Sequence, residues 1–294
     1  MTDVSYLTGL IGAGIGPSLS PALHQREADR HGLRLLYRTI DITELGVAPE
    51  AVGELVRAAR ALGFDGLNIT HPCKQLVIRH LDELSPGAEA LGAVNTVVLR
   101  DGRAIGHNTD VTGFAESFAR GLLGVPTGRV VQLGAGGAGA AVAHALLTLG
   151  TDRLAVSDTD PGRAAALAAA LRTRFGADRA TALAPDELAD AMSRADGLVH
   201  ATPTGMADHP GLPLPAALLR PELWVAEVVY RPLDTALLRL ARRTGCATLD
   251  GGAMAVFQAA DAFRLFTGLE PHPERMLEDF ADLVGAPTPL RKAP

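Results

Sequence analysis

The chain is poor in cysteine: its 294 residues include only Cys73 and Cys246. These lie far apart, with no further Cys or His at metal-ligand spacing, so neither a disulfide framework nor a zinc site is indicated and no metal is expected. Basic charge is not in excess either. The 27 Lys and Arg are mixed among 33 Asp and Glu, a formal net charge of -6, which leaves no broad cationic face for nucleic-acid phosphates. No apolar run reaches membrane-spanning length. The stretch from Met1 to Gly12 places Asp3, and no Lys or Arg, before its short apolar part, unlike a secretory signal. These absences point to a cytoplasmic protein with neither nucleic acid nor membrane as partner.

What the chain has in quantity is core-forming material. Hydrophobic residues make up 47% and charged residues 20%, spread along a chain longer than one core usually organises, so two domains are expected. Tyr6 to Ile15 reads as an apolar strand ending in glycines, and Ser20-Pro21 as an N-cap followed by proline at the first helical position. Leu35 to Ile40 gives a second strand, Pro49 to Leu62 an amphipathic helix, and Gly66 to Ile69 a third strand running into Thr70-His71-Pro72. Val94 to Leu99 continues the alternation.

After Asp110, a helix to about Gly121 leads through Gly124-Val125-Pro126, which reads as a hinge, into a second alternation. It runs strand Val130 to Leu133, helix Gly137 to Leu149, strand Leu154 to Ser157, helix Arg163 to Phe175, then strands near Leu198 and Val225. Helix propensity alone explains the alanine-rich Ala164 to Ala170. Met254 to Thr267 and Glu274 to Leu283 read as helices, and Pro287 to Pro294 as a disordered tail. The expected fold class is α/β in two domains. Residues 1–111 form a substrate-binding and catalytic domain with a mostly parallel sheet, 112–256 a doubly wound Rossmann-type domain, and 257–294 C-terminal helices that return to the first.

Gly134-Ala135-Gly136-Gly137-Ala138-Gly139 satisfies G-x-G-x-x-G, follows the apolar strand Val130 to Leu133 and opens a helix. In that context the first glycine allows the sharp turn, the second lets backbone approach a pyrophosphate, and the third lets helix and strand pack closely. The alternative is a tight strand-to-helix turn without a ligand. Asp158 follows the apolar Leu154-Ala155-Val156, about twenty residues past the last motif glycine, where a carboxylate holds ribose hydroxyls and repels a 2′-phosphate. NAD is therefore expected over NADP. Arg163 is the counterweight: it can neutralise an acid, stack on adenine, bind a phosphate, or be a surface residue of a first helical turn.

Four polar clusters fall at predicted strand-to-helix transitions: Ser18-Leu19-Ser20-Pro21, Asn68 to Lys74, Asn95-Thr96, and His107-Asn108-Thr109-Asp110. Together they suit a polyhydroxylated anion, because serine hydroxyls bind a carboxylate, Asn and Thr read hydroxyls as donors or acceptors, and Lys74 with Asp110 can move a proton. Each has a plainer reading. Ser20 can cap a helix, Asn95 or Asn108 can close a turn, and Lys74 can be a solvated side chain.

Taken in order along nearly the whole chain, these segments resemble the shikimate dehydrogenase family, and particularly its NAD-using quinate/shikimate dehydrogenase branch. The resemblance runs through Ser18-Leu19-Ser20-Pro21, Asn68-Ile69-Thr70-His71-Pro72-Cys73-Lys74, Gly92-Ala93-Val94-Asn95-Thr96, Gly106-His107-Asn108-Thr109-Asp110 and the glycine-rich turn. It continues through Ala201-Thr202-Pro203-Thr204-Gly205-Met206, Val229-Tyr230-Arg231-Pro232, Asp250-Gly251 and Gln258-Ala259. It implies that Ser18 and Ser20 bind the substrate carboxylate, that Thr70, Asn95, Asn108 and Gln258 contact ring hydroxyls, and that Lys74 and Asp110 are the catalytic pair. By the same resemblance Thr202, Val228 and the Gly251 to Met254 region line the cofactor, with Tyr230 near the substrate.

For Lys74 to serve as base, burial must favour its neutral form or Asp110 must share the proton. NADP-using relatives typically carry Asn-Arg-Thr where this chain has Ser157-Asp158-Thr159, which favours NAD. Quinate-preferring relatives can carry Thr where Ser20 stands, so use of quinate, shikimate or both is expected. An NADP-dependent shikimate dehydrogenase of aromatic biosynthesis, or an enzyme for amino-substituted analogues, stays open. So does a dehydrogenase of another small substrate, or a non-catalytic NAD or metabolite sensor on the same scaffold. Retention of both Lys74 and Asp110 favours an enzyme, as monomer or homodimer.

Overall fold

In the computed structural model, residues 4–285 are described, and they divide into two units. One is Asp110–Ala255, and the other comprises the described residues on either side of it. The expected tail from Pro287 to Pro294 lies outside the described residues. Among those residues no helix is long and apolar enough to cross a membrane.

The first unit opens with β1 (Ser5–Gly12), α1 (Ser20–Arg30), β2 (Arg34–Asp41), α2 (Val52–Ala61), β3 (Gly66–Ile69), β4 (Glu83–Leu84), α3 (Pro86–Leu91), β5 (Thr96–Arg100) and β6 (Arg103–His107). Its sheet has the order β2-β1-β3-β5-β6-β4. β1 is parallel to β2 and β3, and β4 to β6, whereas β5 is antiparallel to both β3 and β6. The sheet is thus mixed, because Asp101 (φ 52) and Gly102 (φ 71) form a two-residue hairpin turn between β5 and β6. Asp-Gly supplies the two positive φ values such a turn requires. The core packs Ile11, Leu67, Ile69 and Val97 of the sheet against Val52, Val56 and Ala59 of α2.

The second unit contains α4 (Asp110–Gly121), β7 (Arg129–Leu133), α5 (Gly137–Thr148), β8 (Arg153–Ser157), α6 (Pro161–Phe175), β9 (Ala180–Ala182), α7 (Leu188–Ser193), β10 (Gly197–His200), β11 (Trp224–Glu227), α8 (Ala236–Thr244) and β12 (Ala247–Leu249). All strand pairs are parallel, in the order β12-β11-β10-β7-β8-β9. The order reverses between β7 and β10, the switch point at which open α/β sheets take ligands beyond the carboxyl ends of their strands. β10 and β11 are buried at every position, as strands covered on both faces must be. Trp224 anchors this core, with its ring edge-on to Phe118 at 5.0 Å and its indole N–H donating to the Pro126 carbonyl at 2.8 Å.

Two helices complete the chain. α9 (Gly252–Thr267) starts in the second unit and belongs to the first from Val256 on, followed by α10 (Pro273–Val284) in the first. There Phe263 packs with Leu10, Leu35 and Tyr37, and Phe266 with Val98.

Candidate active site

In the second unit the chain leaves β7 through Gly134, whose φ of 106 is open only to glycine. A side chain there would collide with the Ala201 carbonyl oxygen at 2.4 Å, and one at Gly139 with the Gly134 oxygen at 2.3 Å, whereas Gly136 faces open space. Two glycines of the motif are therefore demanded by packing and one leaves the approach clear. Gly136, Gly137 and Ala138 are half-buried at the start of α5, whose first turn carries no acidic residue. Half-buried amides at a helix N-terminus, with no acidic side chain in the first helical turn, fit a pyrophosphate. Gln132, fully buried in β7, fixes this turn by donating from Nε2 to the carbonyls of Gly134 and Gly139, both at 2.8 Å. The sequence marked Gln132 only as part of a strand.

Asp158 follows β8 directly. Burial alone would raise its carboxyl, but the Asp160 amide at 2.9 Å, the Ala135 amide at 2.7 Å and the Arg163 guanidinium at 2.8 Å hold it below the ordinary carboxylate range. The Asp158 side chain is 7% exposed and that of Arg163 is 55% exposed. The acid is thus a fixed, ionised element of the cradle, and the guanidinium covers it from solvent.

Thr202 lies two residues beyond β10, where its methyl would be 3.0 Å from a side chain at Gly134. Val228 and the half-buried Tyr230 follow β11, and a side chain at Gly251 would meet the Val228 carbonyl oxygen at 2.4 Å. Met254 is buried in the core of this unit. The expected cofactor residues Gly134, Gly136, Gly137, Ala138, Gly139, Asp158, Arg163, Thr202, Val228, Gly251 and Met254 all belong to this unit, as does Asp110, the first residue of α4.

The remaining expected residues, Ser18, Ser20, Thr70, Lys74, Asn95, Asn108 and Gln258, belong to the first unit. A ladder of bonds gathers their segments. The Ala13 amide donates to the His71 carbonyl at 3.0 Å, and the Val94 amide to the Lys74 carbonyl at 2.9 Å. Asn95, buried, accepts the Thr109 amide on Oδ1 at 2.8 Å and donates from Nδ2 to the Thr109 hydroxyl at 2.9 Å. The Thr109 hydroxyl in turn donates to the Gln258 carbonyl at 3.0 Å, and Asn108 Nδ2 to the Ala93 carbonyl at 3.0 Å. Asp41 pins the loop ahead of Ser18. Burial would raise its carboxyl, but the Thr43, Ile15 and Gly14 amides donate to it at 2.9, 2.7 and 3.0 Å and hold it below the ordinary range.

Two local expectations need correction. Ser20 is the first residue of α1 and not its cap; Leu19 takes the cap position without a side-chain bond, and the Ser18 hydroxyl receives the Ser20 amide at 3.3 Å. Asn95-Thr96 leads into strand β5, not a helix, because Thr96 pairs across to His107 in the hairpin. The sequence also gave no notice of a three-donor cluster in the first unit. Glu27, His31 and His272 bring possible metal ligands within 4.8 Å of one another. Glu27 Oε1 already accepts the His272 amide at 2.7 Å, and Arg30 sits 3.0 Å from Oε2. These bonds commit Glu27 to joining α1 to the turn before α10.

A family model described as the shikimate dehydrogenase substrate binding domain matches residues 10–97. The chain is 74% identical over 285 residues to a shikimate dehydrogenase (NADP(+)) of Streptomyces avermitilis, covering 97% of this chain and 98% of that protein. It is 50% identical over 284 residues to a quinate/shikimate dehydrogenase (NAD(+)) of Corynebacterium efficiens, covering 96% of this chain and 100% of that one. Among solved structures, quinate dehydrogenase from Corynebacterium glutamicum in complex with NAD superposes with a TM-score of 0.87 at 48% identity, covering 95% of this chain and 99% of that one.

Proposed function

Because this chain belongs to the shikimate dehydrogenase family, we propose that it catalyses reversible hydride transfer between NAD and a ring hydroxyl of quinate or shikimate, with Lys74 and Asp110 handling the hydroxyl proton. A bound nicotinamide dinucleotide supplies the hydride acceptor. The chain's own residues supply the rest. The amides of Gly136, Gly137 and Ala138 hold the pyrophosphate, and the Ser18 and Ser20 hydroxyls bind the substrate carboxylate. Thr70, Asn95, Asn108 and Gln258 orient the ring hydroxyls, and Tyr230 is a further substrate contact.

The observation that carries this reading is the Asn95 lock. One buried side-chain amide ties Thr109, the neighbour of Asp110, to the segment just ahead of β5, where the adjacent Val94 amide donates to the Lys74 carbonyl. That arrangement supports Lys74 on fixed backbone and Asp110 next in sequence to the locked Thr109, as general acid–base chemistry requires. Lys74 Nζ accepts the hydroxyl proton as the alcohol is oxidised, with Asp110 as its partner in handling that proton.

For the cofactor, the ionised Asp158 at the end of β8 supports NAD, since a 2′-phosphate beside it meets like charge. A second reading, NADP, is favoured by Arg163, whose exposed guanidinium can leave Asp158 for a phosphate, and by the name of the Streptomyces avermitilis relative. The test is kcat/KM for quinate and shikimate against NAD and NADP. At least tenfold preference for NAD is expected, and equal or higher efficiency with NADP overturns the cofactor assignment. No turnover in any arm, with calorimetric binding intact, would make the protein a sensor.

A further inference from the structure

We infer that His200 and Glu227 are a buried positioning pair that fixes the hydrogen-bonding polarity of Thr202 at the edge of the dinucleotide site. They end β10 and β11 and face each other in register, with side chains fully enclosed. His200 Nδ1 lies 2.8 Å from Glu227 Oε1, and His200 Nε2 lies 2.5 Å from the Thr202 hydroxyl. Glu227 is itself held on two sides, by the Val229 amide at 3.0 Å on Oε1 and by the Thr235 hydroxyl at 3.1 Å on Oε2. Thr235 also caps α8 by accepting the Leu238 amide at 3.2 Å. A carboxylate, an imidazole and a hydroxyl thus stand in line, rooted in the sheet and ending at Thr202.

The direction of the bonds follows from donor counts. An ionised carboxylate only accepts, so the ring nitrogen facing Glu227 must carry hydrogen. The tautomer we infer leaves the other nitrogen an acceptor, to which Thr202 donates its hydroxyl hydrogen. Thr202 Oγ1 also accepts the Thr204 amide at 3.2 Å. With its hydrogen committed inward and one lone pair taken, Thr202 offers the outside a single acceptor. Its place two residues beyond β10, with its methyl beside Gly134 at the switch point between β7 and β10, sets that acceptor at the edge of the dinucleotide site. The groups it recognises are the N–H of a carboxamide or the O–H of a ribose.

The inference rests on the dinucleotide reading of this unit, and a double-mutant cycle separates the two. Thr202→Val, which keeps the side-chain shape, is expected to raise KM for the dinucleotide about tenfold, an amount typical of one lost hydrogen bond to a ligand, without raising KM for the acid substrate. Thr202→Ser is expected to restore it. His200→Asn is expected to give a similar rise alone and none in the Thr202→Val background, because it acts through Thr202. Should His200→Asn fail to fold in a thermal melt, Glu227→Gln takes its place, since a carboxamide there no longer dictates which ring nitrogen carries hydrogen. Unchanged dinucleotide KM in Thr202→Val, or multiplicative effects in the cycle, overturns the inference. Failure of the wild-type protein to bind either dinucleotide would instead overturn the reading on which it rests.

Discussion

Arg163 shows how one side chain can alter the meaning of another. By spacing alone Asp158 is a carboxylate presented to a ribose, but in the fold its Oδ1 is 2.8 Å from a guanidinium and its Oδ2 receives the Ala135 amide. Removing the guanidinium leaves the negative charge and takes away a cation beside it that can bind a 2′-phosphate. Arg163→Ala is therefore expected to lower kcat/KM for NADP about tenfold while changing that for NAD by less than about twofold, the scale of one exposed charge-assisted contact. A parallel loss with both dinucleotides would show that Arg163 holds the adenosine half in common. The glycine turn and Asp158 were legible because their spacing along the chain carries their chemistry. Asp41 and His200 were not, since each acts through bonds that exist only once separate strands lie side by side, and Gln132 was not, since its bonds to Gly134 and Gly139 exist only once the turn folds back over β7.

At the level of elements, the second unit was the easier to read. Its central strands β10 and β11 are buried on both faces, and its strands appear as short apolar runs separated by helices, a pattern with one common solution. The first unit hid its antiparallel hairpin behind the same apolar pattern, and only Asp101-Gly102 signalled it. Helix α1 hid more. Its His24 is fully enclosed among Tyr37, Phe263 and Phe266, at ring distances of 5.1, 6.3 and 5.8 Å, and neither ring nitrogen has a hydrogen-bond partner. Burial lowers its pKa to about 4, with Glu27 opposing the shift.

The sign follows from linkage. Below its ordinary value of 6.5 the unfolded chain binds a proton at His24 that the folded chain refuses until about 4. The contribution is therefore complete above pH 6.5 and is lost as pH falls towards 4, by about 3 kcal/mol in all. His24→Phe, which suits the aromatic surroundings, is expected to flatten the stability of the first unit over that window in denaturant titrations at several pH values. An unchanged slope would mean that another group sets the acid sensitivity.

At the scale of the whole molecule, the proposed reading divides the labour between the two units. The glycine turn, Asp158 and Thr202 lie within 110–255, whereas Lys74, Asn95 and the serine loop lie outside it. Dinucleotide affinity and proton handling should therefore separate on mutation. Lys74→Ala leaves the cradle of β7, α5 and β8 untouched, so the dissociation constant for the dinucleotide, measured by calorimetry, is expected to stay within about twofold of the unaltered protein. Turnover should fall by about 10²-fold or more, the usual cost of losing a general base. Because the Lys74 backbone carbonyl, not its side chain, receives the Val94 amide, the Asn95 lock survives the substitution. Near-normal turnover would remove Lys74 from the chemistry and leave Asp110 to act alone, whereas a matching loss of dinucleotide affinity would mean that the two units do not bind their ligands independently.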